Sequence, residues 1–259
     1  MRIAHISDTH IQAANADVRS RVEDLARAVD SINAMAQPVD IVIHSGDISH
    51  DATAADYAAA RAEMVRLKAP LYTTIGNRDR RQPYFEAFAR DGYLDTACGF
   101  AQYSVDLGAL QIIAIDTQYR DTELGGLGGF CSARAEHLRE LLAAVNGKPT
   151  LVFAHHPPVE LADTPRLQFR EAAEAALLRE CLERHDALVG LLTGHVHRAH
   201  AVPFGRVTLS TVPSLAADLS REKSAGTYLR RPIYYVHTFA DFKLTTAAVE
   251  LELSSQAAV

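Results

Sequence analysis

Short apolar runs alternate with helical patterns through the first two thirds of the chain. Runs rich in Val, Ile and Leu, closed by Gly, Ser, Asp or Asn, predict strands over residues 2–7, 40–44, 70–75, 103–107, 111–115, 150–154 and 187–192. Helical periodicity fills several gaps between them, over 18–36, 53–67, 134–145 and 171–184, the last with Ala175, Leu178 and Leu182 at helical spacing. After Gly194 only strands are expected, at 207–212, 232–239 and 243–251. Alternating β and α units call for a layered α/β domain, and the closing strands for a second sheet packed on the first. No repeat, low-complexity linker or break in composition divides the chain, so residues 1–259 read as one domain. Its motif-bearing core spans 1–215, and strands within 207–251 are expected to complete the second sheet. The tail 254–259 reads as frayed.

A chain of 259 residues that is 48% hydrophobic can bury a large core. Its net charge of -6 argues against a protein that wraps nucleic acid, although clustered arginines could hold one small phosphate. Cys98, Cys131 and Cys181 are odd in number and far apart, which fits isolated core thiols in a reducing cytoplasm better than a disulfide framework. The first residues enter a strand without a signal-peptide pattern, and no run is apolar enough to span a membrane. A cytoplasmic protein without a membrane partner is expected, with a homo-oligomer left open.

Polar clusters stand where the predicted strands end: "HISDTH" at 5–10, "SGDISH" at 45–50, "GNRD" at 76–79, "AHHPP" at 154–158 and "TGHVH" at 193–197. Ligands of α/β sheets bind beyond the C-terminal ends of strands, so these distant loops can converge. Asp8 and His10 are two residues apart, which in extended backbone aims both side chains the same way, and His195 and His197 repeat the spacing. Asp, Asn and His offer oxygen and imidazole donors suited to Mn, Fe, Zn or Co. Seven candidates exceed one tetrahedral ion and suit two ions sharing a carboxylate. Taken singly, each motif reads as an ordinary turn, surface pair or buried histidine pair. Their order, each after a strand, favours the metal reading.

Asp8-x-His10, Gly46-Asp47, Gly76-Asn77-x-Asp79, His155 and Gly194-His195-x-His197 resemble the calcineurin-like metallophosphoesterases, in particular the bacterial class III cyclic-nucleotide phosphodiesterases and glycerophosphodiesterases. The resemblance covers about residues 1–215. It implies a four-layer α-β-β-α sandwich with two metals, one on Asp8, His10, Asp47 and His197, the other on Asp47, Asn77, His155 and His195. Asp47 would bridge them, and Asp79 would orient a loop residue from behind. The implied activity is phosphodiester hydrolysis by a metal-bridging hydroxide.

Arg78 departs from that pattern, which usually has His there to hold the phosphate and protonate the leaving oxygen. Arginine suits the first task, with a planar fork for phosphate oxygens, and not the second, because it stays protonated. His156 and His44 are candidate replacements as acid. Arg80 and Arg81 extend the basic cluster, either to recognise an anion or as the start of a solvated helix. "GGLGGF" at 125–130 lacks the features of a phosphate loop and reads as a flexible segment at the pocket mouth, while Ser214 reads as a turn residue near the site. The leading expectation is a hydrolase of small phosphodiesters in which Arg78 and Asn77 hold phosphate oxygens. The alternatives are a phosphomonoesterase or phosphonate-ester hydrolase using the same site, and a metal-binding scaffold with little turnover. A nuclease ranks last, since no basic stripe or aromatic platform is visible.

Overall fold

The structure is a computed structural model describing residues 1–94, 96–119, 126–164, 167–224, 227–228 and 230–252. Two sheets lie face to face. The first has order β13-β12-β1-β2-β3, from β1 (Arg2–Ile6), β2 (Ile41–His44), β3 (Leu71–Thr73), β12 (Ile233–Ala240) and β13 (Lys243–Glu250). The second has order β4-β5-β6-β7-β9-β8, from β4 (Tyr103–Asp106), β5 (Gln111–Ile115), β6 (Thr150–Ala154), β7 (Leu188–Thr193), β8 (His200–Phe204) and β9 (Val207–Thr211). A short ribbon of β10 (Lys223–Ser224) and β11 (Thr227–Tyr228) stands apart.

Strand parity sorts the side chains into three apolar layers. Ala4, Ile6 and Val42 point outward to α1 (Ser20–Asn33), α2 (Ala54–Met64) and α3 (Arg81–Phe88), where Leu25, Val29, Tyr57, Tyr84 and Phe88 cover them. Ile3, Ile41 and Ile43 point the other way, against Ile112, Ala114, Leu151 and Phe153 of the second sheet. The alternate residues Ile113, Ile115, Val152 and Ala154 pack under α4 (Ser132–Ala144) and α5 (Ala172–Glu183), on Leu138 and Leu178. This is the four-layer α-β-β-α sandwich. Thr53 starts α2 with a reciprocal cap, its hydroxyl accepting the Asp56 N–H.

The expected destination of the last strands needs correction. Only the segment at 207–211 enters the second sheet; β12 pairs antiparallel with β1 and carries β13 at the edge of the first. Hydrophobicity alone does not say which open edge a strand will cover. β12 is buried along most of its length, as a strand between two neighbours must be. Besides the short β10–β11 ribbon, α3 and β8 escaped the sequence reading, the latter interrupted by Pro203. The tail 254–259 and Gly125 lie outside the described residues.

β1, β2 and β3 run parallel, as do β5, β6, β7 and β9. Their C-terminal ends therefore gather the loops holding Asp8, Asp47, Asn77, His155 and His195 at one edge of the sandwich. Backbone bonds lace these loops together: Asp8 N–H donates to Gly46 O at 3.0 Å, His10 N–H to Asp47 O at 2.9 Å and Gly194 N–H to His155 O at 3.1 Å.

Candidate metal centre

Asp8, His10, Asp47, Asn77, His155, His195 and His197 meet in one cluster. Asp8 Oδ1 lies 3.1 Å from His197 Nε2, 3.6 Å from His10 Nε2 and 3.9 Å from His155 Nε2. Asp47 Oδ2 stands between two histidines, 3.5 Å from His10 Nε2 and 3.4 Å from His155 Nε2. Asn77 Oδ1 is 3.1 Å from His155 Nε2 and 2.9 Å from His195 Nδ1.

The backbone achieves this differently from the expected extended spacing. Asp8, His10, Asp47, His195 and His197 all sit in left-handed conformation, with φ of 56°, 45°, 54°, 70° and 57°. Such angles disfavour residues with a Cβ and persist where surrounding structure enforces them, often at functional sites. Two glycines allow the loops to close. A Cβ on Gly194 would lie 2.0 Å from Ser7 Oγ and 2.4 Å from Asp8 Oδ2, and one on Gly76 would lie 2.2 Å from Asp47 Oδ1. Any side chain at either position would push a carboxylate out of place.

Three of the four histidines are tied at one ring nitrogen to an oxygen and present the other to the cluster. His155 Nδ1 faces Ser45 O at 2.9 Å, His197 Nδ1 faces Leu219 O at 3.1 Å, and His195 Nε2 faces Gln168 Oε1 at 3.0 Å. His10 Nδ1 instead meets His50 Nδ1 at 3.4 Å. An oxygen partner fixes the tautomer and leaves a lone pair on the opposite nitrogen, as in metal-bound imidazoles. Buried Asp8 Oδ1 has no hydrogen-bond donor among the described residues. Acceptors facing acceptors, with a buried carboxylate oxygen lacking a donor, is an arrangement that cations relieve. The donor set fits transition metals.

The electrostatics agree. Burial works to raise the pKa of Asp8, but His155 and His197 outweigh it and hold the carboxyl well below the usual range. Burial opposes ionisation of Asp47 too, yet His155 and His10 pull it down to about 2. His155 resists burial because Asp47 and Asp8 raise it to about 9, while burial and the neighbouring His155 push His195 down to about 3. The carboxylates thus favour a proton on His155 Nε2, and that proton must leave before the nitrogen can offer its lone pair to a cation.

Asp79 clamps from behind. Its carboxylate accepts the N–H groups of Ile48 at 3.3 Å, Ser49 at 3.1 Å and Gly76 at 2.9 Å, and the Tyr57 hydroxyl at 2.8 Å. Burial and the charge of Asp47 push it up to about 6. The loops carrying Asp47 and Asn77 are thereby held together. Arg78 N–H donates to Asp47 Oδ1 at 2.7 Å. Burial and then the Arg78 charge lower the His50 pKa.

Other expected residues are placed elsewhere. Arg81 starts α3, only 14% of its side chain is exposed, and its Nε and Nη2 pair with Asp116 at 2.8 and 2.9 Å. Its charge answers a buried carboxylate. His156 is fully buried, with Nδ1 2.9 Å from Thr117 Oγ1 and its ring 4.4 Å from that of His195, which it backs from inside. His44 is equally buried, with Nε2 3.1 Å from Thr9 Oγ1. Both side chains are buried beneath the cluster's loops. Arg80 stands at the cap position of α3, its N–H on the Tyr57 hydroxyl. Ser214 reaches the site through the backbone, donating from Oγ to Asp8 O at 2.8 Å. Gly126 and Leu127 do line the cleft over His195 and His197, but Gly128 is bridged to Gln118 and Phe169 and packs against His156. Of the cysteines only Cys181 is buried; all three are free.

Sequence reading missed Gln168, His50, Arg198 and Arg221. Only His50 stands in a quoted motif, and Gln168 arrives from a loop with no pattern of its own.

The model for calcineurin-like phosphoesterases matches residues 1–199. The glycerophosphodiester phosphodiesterase GpdQ of Enterobacter lignolyticus is 28% identical over 224 residues, covering 83% of this chain and 77% of that protein. The 3',5'-cyclic adenosine monophosphate phosphodiesterase CpdA of Escherichia coli is 26% identical over 218 residues, covering 83% and 76%. A dimetal phosphatase from Danio rerio has the same fold, with a TM-score of 0.75 at 13% identity over 98% of this chain and 99% of that one. Motifs, sandwich and clustered Asp, Asn and His side chains lead to one conclusion: the chain belongs to the calcineurin-like phosphoesterase family.

Proposed function

We propose that the protein hydrolyses small phosphodiesters with two transition-metal ions held at the sheet edge. One observation carries the reading: side chains from five loops turn acceptor atoms toward one another around Asp47. In this assignment Asp8, His10, Asp47 and His197 hold one ion, Asp47, Asn77, His155 and His195 hold the other, and Asp47 is shared. When bound, such ions stabilise charge on phosphoryl oxygens and lower the pKa of water toward neutrality. Manganese, iron, zinc and cobalt all suit the donors. The similarity to GpdQ and CpdA, both phosphodiesterases by name, supports the substrate class.

The chain's own residues orient the ester. Arg78, kept close to Asp47 by its backbone N–H, holds non-bridging oxygens with its guanidinium beside Asn77, and Arg80 is an outer contact. Asp79 keeps that loop in register. Water oxygen joins phosphorus as the bond to one alcohol breaks, and the proton released by water returns to the departing alkoxide. Arg78 steadies the phosphate without supplying that proton. Three free cysteines support a cytoplasmic setting, and no described helix is long and apolar enough to cross a membrane.

A second reading is a phosphomonoesterase or phosphonate-ester hydrolase; the positive charge of Arg78 supports the monoesterase, whose substrate is a dianion. Comparing kcat/KM for bis(p-nitrophenyl) phosphate and p-nitrophenyl phosphate in the metal-loaded protein separates the two. Diester preference is expected, and monoester preference would overturn it.

A further inference from the structure

A cleft of about 250 Å³ opens over His195 and His197, walled by Gln168, Asp163, Arg198 and Arg221. None of these last four belongs to the proposed metal set. The two arginines come from different segments, and both are fixed to the metal centre. Arg198 follows His197 directly in sequence, and its carbonyl accepts the Thr211 hydroxyl at 2.7 Å. Arg221 donates its backbone N–H to His197 O at 2.8 Å, two residues after Leu219 O receives His197 Nδ1.

The charges of the two side chains are largely available. Arg198 donates one Nη1 bond, at 3.1 Å to the Asp163 carbonyl, while its Nε is buried with no partner among the described residues. Arg221 is exposed, and no hydrogen bond or ion pair of its side chain occurs among the described residues. Among the described residues Asp163 is the one carboxylate lining the cleft, so that part of the lining carries an excess of positive charge in a chain whose net charge is -6. A buried guanidinium donor left without a partner costs free energy that a ligand oxygen would recover. Guanidinium groups also match carboxylate and phosphate oxygens in shape.

We propose that this cleft receives one alcohol arm of the substrate and that Arg198 and Arg221 select an arm bearing a second negative charge. The inference rests on the phosphodiesterase reading and narrows its substrate class, to diesters with an anionic group several bonds from the reacting phosphorus. Arg78 serves the phosphate, and Arg198 and Arg221 serve the arm in the cleft over His195 and His197. They are specificity residues and take no part in bond breaking.

The test compares glycerophosphoserine with glycerophosphoethanolamine, whose arms differ by one carboxylate and share the same ammonium, using the metal-loaded full chain. The wild type should favour the serine ester in kcat/KM by about tenfold or more, on the scale of one charge-assisted hydrogen bond. Arg221→Ala should reduce that ratio about tenfold, chiefly through KM for the serine ester, Arg221→Lys should keep most of it, and Arg221→Glu should reverse it. Arg198→Lys should reduce it while the thermal midpoint stays near that of the wild type. A wild-type ratio near one, or a ratio unmoved by Arg221→Glu, would overturn the inference while leaving the phosphodiesterase reading intact. Failure to hydrolyse either ester or bis(p-nitrophenyl) phosphate with saturating metal would overturn that reading, and the inference with it.

Discussion

His10 Nε2 and His197 Nε2 face each other at 3.1 Å, with Asp8 Oδ1 beside both. His197 Nδ1 is committed to Leu219 O, so its Nε2 presents a lone pair inward. The two nitrogens can share one proton, or both can reach one cation lying to the side of the line between them at about 2.0–2.1 Å from each. His197→Ala should therefore lower bound metal from two ions per chain to one, leaving the set around His155 filled. Asp47→Asn removes a charge common to both sets and should lose both ions, with kcat/KM falling by about a thousandfold or more, beyond the loss for Asn77→Ala. Elemental analysis of both variants after metal saturation checks the contrast. Two ions retained in Asp47→Asn would show that the carboxylate is not shared.

The pKa of His155, raised to about 9 by Asp47 and Asp8 against the effect of burial, makes metal binding a proton exchange. A histidine raised in the folded state above its ordinary value of about 6.5 stabilises the metal-free fold fully below that value and loses the contribution as pH climbs through about 9. Metal affinity should strengthen across the same window, with about one proton released per chain near pH 7.5. Calorimetry in buffers of different protonation enthalpy reads the proton directly. An apparent enthalpy independent of buffer would contradict a protonated His155.

Arg78 should behave as a clamp. Arg78→Lys keeps the charge and loses the fork, so its kcat/KM should fall between those of wild type and Arg78→Ala, with metal content unchanged. Arg78→His should help alkyl diesters more than nitrophenyl diesters, since only a poor leaving group needs a proton as its bond breaks. The ratio of alkyl to aryl rate constants in both proteins measures this. Unaltered turnover in Arg78→Ala would remove Arg78 from the phosphate.

The proposed ligands could be named from sequence because each stands just past a strand whose apolar run is plain, and parallel strands bring such loops to one edge. The layer assignment was equally accessible, since Ile3 and Ala4 or Ile112 and Ile113 alternate between cores by simple parity. Edge choice was not, because the apolar pattern of β12 would suit the β8 edge of the second sheet as well as the side of β1. The left-handed turns at Asp8 and His195 were hidden as well, because nothing local to Asp-x-His distinguishes an extended pair from one forced over by neighbouring loops. Arg81 and His156 are singled out because they stand near Arg78 and His155 in sequence. Their partners Asp116 and Thr117 come from just past β5: Arg81 reaches Asp116 from the layer over the first sheet, and His156 meets Thr117 from the neighbouring strand of the same sheet.

The central claim, a phosphodiesterase built on two ions sharing Asp47, is tested most directly by titrating metal-free protein with Mn²⁺ while following bis(p-nitrophenyl) phosphate hydrolysis. The rate should climb until two equivalents per chain have bound and then level, because both sets of ligands must be filled. A plateau at one equivalent, or turnover that does not depend on added metal in a protein shown to be metal-free, would contradict the account.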